Sequence, residues 1–224
     1  MLTQETLDFL ADLKANNNRE WFLENKKRYE HFKLDYLQLT TNLLLILSAN
    51  DSSLSQLDPK KCVFRINRDI RFSKDKSPYK THLGIWFSSG AKAHNLAGYY
   101  VQIEHNNCFI AGGLYAPEAV DLKKVRKEIA FFYEDLHEIL EDKDFKSTFE
   151  SLDFTDINTL KNAPKDFDKD HIALKYLKLK SFTASQKFDV SDVLKQDFIS
   201  KTAQKLLVLK SLNQFINRAL TAEV

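Results

Sequence analysis

The residues best placed to do chemistry lie in one stretch, Arg65 to His82. This stretch carries six lysines and arginines against two carboxylates, Asp69 and Asp75. Charged runs are usually solvated helix faces, but here apolar residues such as Ile66 and Ile70 alternate with the charges, as in a strand with one buried side. Positive charge remains after both carboxylates are paired, and the arginine fork suits phosphate or carboxylate. The stretch therefore predicts an anion-binding site.

The predicted ligand-binding side chains form a floor on the strand and a rim on the adjoining loop. The floor consists of Arg65, Asp69 and Arg71, and the rim consists of Arg68, Lys74, Lys76, Tyr79 and Lys80. A later strand presents a matching polar face made of Tyr100, Gln102 and Glu104. The alternative is a structural network, in which Asp69 and Asp75 neutralise neighbouring arginines and pin the loop.

One residue breaks the two-residue period of this stretch. The apolar side of the extended chain holds Cys62, Phe64, Ile66, Ile70 and Phe72, and Arg68 falls among them. Either a turn or bulge near Asn67 resets the alternation, or a partner holds the Arg68 guanidinium among apolar neighbours. We expect the turn or bulge.

An enzyme would need a nucleophile, a base or a metal, and the sequence offers few candidates. Asp69, Asp75 and Glu104 could hold Mg²⁺, as in metal-dependent phosphotransfer. His82 and His171 are the candidate acid–base residues. No glycine-rich phosphate loop, nucleophile elbow or paired-cysteine zinc spacing is present. Whether the protein is an enzyme stays open, and apart from Mg²⁺ no cofactor is indicated.

A nucleic-acid role has less support than a small anionic ligand. The net charge is only +2 and the pI is about 8.3, below the range of dedicated nucleic-acid binders. Trp86, Phe87, Tyr99 and Tyr100 could stack bases beside the basic loop, but aromatic residues on strands usually pack in the core. Any preference for anions must therefore be local.

The composition predicts a cytoplasmic protein without a membrane segment. Its 224 residues, 43% of them hydrophobic, can bury a sizeable core, and we expect one domain over residues 1–224. Two isolated cysteines and the lack of a secretory leader favour a reduced cytoplasm. The longest apolar run, Leu43 to Leu47, is far shorter than the roughly 20 residues that cross a bilayer.

The hydrophobic period changes twice along the chain. Residues 1–50 have a helical period, residues 62–115 are rich in strand patterns, and residues 118–224 are mainly helical, ending in a helix from about Asp197 to Leu220. This order predicts an α+β fold, with a central and mostly antiparallel sheet of about 4–6 strands flanked by N-terminal and C-terminal helices. The loop from Ser88 to Gly98 is the expected mobile flap.

Two blocks of the sequence resemble a known family. Asn16–Phe22 and Arg68–Thr81 are similar to the signature blocks of a widespread microbial family, domain of unknown function 2461. Its other landmarks are matched by Gly112 to Tyr115, Pro117, Arg126, Pro164, Phe167, Asp170 and His171.

The resemblance covers nearly the whole chain and implies a bacterial protein without an activity that could be carried over. Function therefore depends on the residues themselves. They favour a basic pocket for a phosphate- or carboxylate-bearing ligand. The alternatives are an interaction or scaffold module with a structural charged motif, and a metal-dependent phosphotransfer enzyme.

Overall fold

The computed structural model describes residues 2–90 and 96–222. Its α-helices are α1 (Gln4–Ala15), α2 (Arg19–Glu24), α3 (Lys26–Asn50), α4 (Pro59–Cys62), α5 (Ala119–Phe131), α6 (Tyr133–Glu141), α7 (Lys143–Phe149), α8 (Leu174–Leu177), α9 (Phe198–Leu207) and α10 (Lys210–Thr221). Its strands are β1 (Leu83–Phe87), β2 (Gly98–Ile103), β3 (Cys108–Leu114) and β4 (Phe182–Phe188). Short 3₁₀ helices span Ser52–Leu54 and Val190–Leu194.

The strands form one antiparallel sheet in the order β1-β2-β3-β4, which confirms the predicted α+β class. One position in this sheet requires glycine. Gly113 has a φ of 110°, and a Cβ atom there would lie 2.0 Å from the carbonyl oxygen of Phe182. The close approach of β3 and β4 therefore depends on the missing side chain.

Contacts among residues divide the chain into two compact units. The first comprises Met1–Phe87, Tyr100–Ile110 and Lys187–Gln204, and the second comprises Ser88–Tyr99, Ala111–Gln186 and Lys205–Val224. The single domain expected from composition stays a prediction.

In the first unit, side-chain caps and an apolar stripe define the helices. The Thr3 hydroxyl caps α1 by accepting from Thr6 N, and Asn18 caps α2 by accepting from Trp21 N at 2.9 Å. The helical period expected up to residue 50 is borne out by α2 and α3. The buried stripe of α3 contains Phe32, Tyr36, Leu39, Leu43 and Leu47, and α3 contacts β1.

The strand expected over residues 62–72 does not form. Cys62 ends helix α4, and beyond it Val63 and Asn67 make isolated bridges. Phe64 and Phe72, expected on a buried face, are 46% and 95% exposed. The alternation of apolar and charged residues did not predict the structure here. The hydrogen-bonding groups of this backbone are paired by side chains and turns and not by a continuous ladder between strands.

The final helix and the flap from Ser88 to Gly98 were also predicted from the sequence. The expected final helix is two helices, α9 and α10, separated where Leu209 N donates to Leu206 O at 3.0 Å in a tighter turn. Of the expected flap, residues 91–95 lie outside the described residues.

Asparagine side chains hold the backbone of distant residues at three places. In each case the amide oxygen accepts from a backbone N–H and the amide nitrogen donates to the carbonyl oxygen of that same residue. The pairs are Asn17 with Tyr79 (3.0 and 2.9 Å), Asn158 with Ser181 (2.7 and 3.1 Å) and Asn217 with Ala97 (2.7 and 3.1 Å). We call these contacts the asparagine clamps. Each supplies the pair of hydrogen bonds that a neighbouring strand would supply.

Replacing Asn17 by Asp should destabilise the protein by about 1–3 kcal/mol. The change turns the donor that faces the Tyr79 carbonyl into an acceptor, and that carbonyl loses its hydrogen bond. Urea unfolding of the two proteins measures the difference. Asn162→Asp is the control, since Asn162 is exposed and outside the clamps. Equal losses for both variants would contradict a structural role of the clamp.

Candidate functional site

The basic stretch folds as an irregular two-armed ribbon that ends in a loop. We call residues 63–68 the outgoing arm, residues 78–82 the returning arm, which continues into β1, and residues 69–77 the basic loop. The pairing is antiparallel, with bridges between Val63 and Ile85 and between Asn67 and Tyr79. The ribbon and its loop lie entirely within the first compact unit.

The returning arm contains a bulge. Phe64 N donates to Gly84 O at 3.2 Å, and Lys80 N donates to Ile66 O at 2.7 Å. An advance of two residues on the outgoing arm, from 64 to 66, therefore matches four residues on the opposite side, from 80 to 84. The extra residues lie around Thr81–His82, and a bulge of this kind redirects the side chains that it contains.

Arg68 ends the outgoing arm and pins the basic loop. Its guanidinium donates to the Asp75 carboxylate at 2.6 Å, to the Ser77 carbonyl oxygen at 2.9 Å and to the Ser73 hydroxyl at 3.5 Å. Near Asn67 the chain bends at Ile66, while Asn67 itself is bridged to Tyr79 of the returning arm. A hydrogen-bonding partner was the alternative explanation for the position of Arg68, and the Asp75 carboxylate is such a partner.

The Asp75 carboxylate completes the loop's hydrogen bonding. It accepts from the Ser77 backbone N–H at 2.9 Å and from the Ser77 hydroxyl at 2.7 Å, in addition to Arg68. These bonds, chiefly those from Ser77, lower the pKa of Asp75 to about 2. Asp75 therefore acts within the loop as a structural anion.

The other carboxylate of the motif is also paired locally. Asp69 accepts from Arg71 Nε at 2.9 Å and Nη2 at 2.6 Å, and this pairing lowers the pKa of Asp69. Lys76 Nζ donates to the Ile70 carbonyl oxygen at 3.0 Å. Asp69 and Arg71 therefore lie in the loop and not on a strand with Arg65, although the Arg65 charge also lowers the pKa of Asp69.

Four cations of the motif form no salt bridge with a carboxylate in the described part of the chain: Arg65, Lys74, Lys76 and Lys80. The Lys80 ammonium lies 5.0 Å from the centre of the Phe64 ring. Burial, together with the nearby Arg65 charge, lowers the pKa of Lys80. The partly buried Lys80 ammonium thus lies near the exposed Arg65 side chain.

The polar face expected on β2 is present and hydrogen-bonded. Tyr100 donates to Gln102 at 3.0 Å, and Gln102 donates to Glu104 at 3.2 Å. Glu104 also accepts from Thr81 at 3.2 Å and from Asn107 at 3.3 Å. This network joins β2 to the bulge of the returning arm. Burial, with a smaller contribution from Glu104, raises the pKa of Tyr100 to about 12.

His82 lies in the bulge between Lys80 and Glu104. Burial lowers the pKa of His82; Lys80 adds to that effect and Glu104 opposes it. The imidazole is therefore neutral at pH 7 and can donate or accept a hydrogen bond.

Tyr79 occupies a structural position in the ribbon. It is buried, Asn17 clamps its backbone, and its ring stacks on Phe22 with the ring centres 4.0 Å apart. From the sequence, Tyr79 was expected on the rim and Asn17 was noted only within the first signature block. The clamp joins the two blocks, because Asn17 in the first block holds the backbone of Tyr79 in the second.

Of the remaining acid–base candidates, His171 lies in the second unit, and its Nδ1 accepts from Ala173 N at 3.0 Å near the start of α8. Sequence analysis named Arg126 in that unit only as a landmark. Its Nη2 donates to Leu179 O at 2.9 Å, its buried Nε has no hydrogen-bond partner among the described residues, and burial lowers its pKa.

The three carboxylates considered for Mg²⁺ belong to separate hydrogen-bond sets. Asp69 binds Arg71, Asp75 binds the loop, and Glu104 binds the β2 network. Across residues 2–90 and 96–222, no three His, Cys, Asp or Glu side chains form a group that could hold a metal ion. The Mg²⁺ hypothesis therefore stays a prediction without a ligand cluster in this part of the chain.

Comparison with known proteins gives one match. A sequence model of the family described as conserved hypothetical protein (DUF2461) matches residues 5–215. No curated protein and no solved structure matches the chain. No helix in the described ranges is both long and apolar enough to cross a membrane.

Arg68→Ala should lower the melting temperature more than Arg71→Ala. Arg68 joins three parts of the loop, and its side chain is 25% exposed, whereas Arg71 is 75% exposed and pairs only with a residue two positions away. Thermal unfolding of both variants in a phosphate-free buffer checks the order. The reverse order would show that the Asp75 network does not pin the loop.

The stability of the protein should fall between pH 7 and pH 5 partly because of His82. Its pKa in the folded protein lies below the ordinary 6.5, so the unfolded chain takes up this proton first as the pH falls. Stability is thus full above about pH 6.5 and declines toward the folded pKa. Urea unfolding should show a smaller decline for His82→Gln and an unchanged one for His105→Gln, an exposed control. An equal decline in His82→Gln and wild type would refute the assignment.

Proposed function

The chain belongs to the DUF2461 family of conserved hypothetical proteins, and we propose that it binds a phosphate- or carboxylate-bearing ligand through Arg65 and Lys80. One observation carries the proposal: Lys80 N donates to the carbonyl oxygen of Ile66, the residue after Arg65, so the two cations lie on facing arms, yet neither forms a salt bridge with a carboxylate among the described residues. Burial and the Arg65 charge lower the pKa of Lys80, and a bound anion would relieve this repulsion.

Three other cations of the motif have partners in the loop, which supports the choice of Arg65 and Lys80. Arg68 and Arg71 each have a carboxylate partner, so their charges are already compensated. Lys76 donates to a carbonyl oxygen within the loop. The anion site is therefore narrower than the predicted floor and rim, and Lys74 is the one loop cation that can add to it.

The chemistry of the pair suits both phosphate and carboxylate. The guanidinium of Arg65 offers a planar fork of donors, and Lys80 adds a compact charge. His82, partly buried beside Lys80, supplies a neutral imidazole that can share a proton with the ligand. The arrangement favours binding and does not by itself identify a reaction.

A second candidate is an interaction module whose charged motif is structural. The observation that favours it is Phe72, which is 95% exposed on a loop pinned by Asp75, with the Arg71 guanidinium 5.8 Å from its ring centre. A pre-organised aromatic beside an arginine is typical of binding hot spots, because little conformational entropy remains to be lost. A nucleic-acid partner stays a prediction.

Arg65→Ala should weaken the binding of inorganic phosphate by about ten- to a hundredfold, the equivalent of a lost hydrogen bond between charged groups. Binding is measured by calorimetry at low ionic strength and by NMR of His82, whose pKa should rise when phosphate binds beside it. Arg71→Ala is the matched control and should bind as the wild type does.

The same titrations separate the two candidates. If phosphate raises the melting temperature of the wild type and Arg71→Ala but not of Arg65→Ala, the anion site is supported. If phosphate stabilises none of these proteins and Phe72→Ala folds normally, the anion site is refuted and the interaction module becomes the better proposal.

A further inference from the structure

A cavity of about 270 Å³ lies between helix α3 and the outgoing arm of the ribbon, inside the first compact unit. Its lining residues are Tyr29, Phe32, Lys33, Tyr36, Leu37, Lys60, Val63, Phe64, Arg65, Ile66 and His82. Two of them, Arg65 and His82, already belong to the proposed anion site. The cavity is thus continuous with that site.

The walls of the cavity are apolar and largely aromatic. Helix α3 contributes Tyr29, Phe32 and Tyr36, which follow one face of the helix, and the outgoing arm contributes Val63 and Ile66. Phe32 is 3% exposed and Tyr36 is 6% exposed. These walls are therefore fixed by the core, and a ligand would not have to order them.

The Tyr36 hydroxyl fixes the distance between the two walls. It donates to the Gly84 carbonyl oxygen and accepts from Phe64 N at 3.2 Å and Gly84 N at 3.1 Å. One hydroxyl from α3 thus ties together the outgoing arm, at Phe64, and β1, at Gly84. Burial raises the pKa of Tyr36, so this hydroxyl keeps its proton and its donor role.

The charged side chains that line the cavity are all positive. Its ionisable members other than tyrosine are Lys33, Lys60, Arg65 and His82, and no aspartate or glutamate lines it. Lys33 pairs with Glu30, but Lys60 and Arg65 pair with no carboxylate in the described ranges. The cavity is therefore complementary to an apolar body that carries a negative group.

We infer that the cavity binds an amphipathic anion, with its phosphate or carboxylate at Arg65 and Lys80 and a small aromatic or aliphatic body between Tyr36 and Ile66. The inference rests on the proposed anion site and adds the class of molecule that the site selects. The volume lies just below the usual range for drug-sized ligands, about 300–1,000 Å³, which favours a body about the size of one ring.

Three probes separate the head from the body: inorganic phosphate, phenyl phosphate and phenol. Phenyl phosphate should bind the wild type about tenfold more tightly than inorganic phosphate, because the ring leaves water for the apolar walls. Phenol, which has the body without the charge, should bind more weakly than phenyl phosphate. Calorimetry and ligand-observed NMR give the affinities.

Leu37→Trp fills the cavity from α3 without changing Arg65 or Lys80. This variant should bind inorganic phosphate as the wild type does, while phenyl phosphate loses its tenfold advantage. Leu45→Trp is the matched control on the same helix, since Leu45 is 70% exposed and does not line the cavity. If Leu37→Trp melts below the control, Val63→Phe tests the same filling from the opposite wall.

The outcomes distinguish this inference from the proposed function. Tighter binding of phenyl phosphate that Leu37→Trp removes and Leu45→Trp keeps supports the cavity. Equal binding of phenyl phosphate and inorganic phosphate, both lost in Arg65→Ala, overturns the cavity but leaves the anion site intact. If neither phosphate compound binds, the anion site fails and the cavity inference fails with it.

Discussion

Hydrogen bonding of the ribbon's backbone is the constraint on which the rest of the structure depends. The arms of the ribbon pair at isolated bridges, so a continuous ladder is not available to satisfy their N–H and C=O groups. Asn17, between α1 and α2, and Tyr36, in α3, supply hydrogen-bond partners at Tyr79 and Gly84. The same device recurs in the second unit at Asn158 and Asn217. Because these side chains satisfy the backbone N–H and C=O groups, the ribbon can be irregular and can expose side chains that a regular strand would not.

This arrangement has a consequence for the charges that the ribbon carries. A loop of alternating cations and carboxylates can pair internally, and Arg68 and Arg71 do so with Asp75 and Asp69. Such pairs contribute shape more than net stability when they are exposed. Arg65 and Lys80 differ from these residues because neither forms a salt bridge with a carboxylate among the described residues. The motif thus has two physically different parts: one folds the loop, and the other is the part through which we propose that an anion binds.

The bulge at Thr81–His82 connects the arms to the sheet and determines where the side chains of these two residues lie. It places His82 at the cavity and Thr81 on Glu104 of the β2 network. The Tyr36 hydroxyl holds α3 to the outgoing arm and to β1 beside the cavity. The cavity and the proposed anion site therefore both lie beside irregular backbone.

The sequence by itself determined the elements whose signal is local. Caps at Thr3 and Asn18, the stripe of α3, the polar face of β2 and the α+β order are all readable from neighbouring residues, because helix period and strand alternation act over a few positions. It also identified Arg65 and Lys80 within a larger charged set. Only the tertiary structure decided which cations are paired, since pairing depends on loop geometry. The asparagine clamps and the cavity were hidden for the same reason: they join residues such as Asn17 and Tyr79, which are far apart in the chain and meet only after folding.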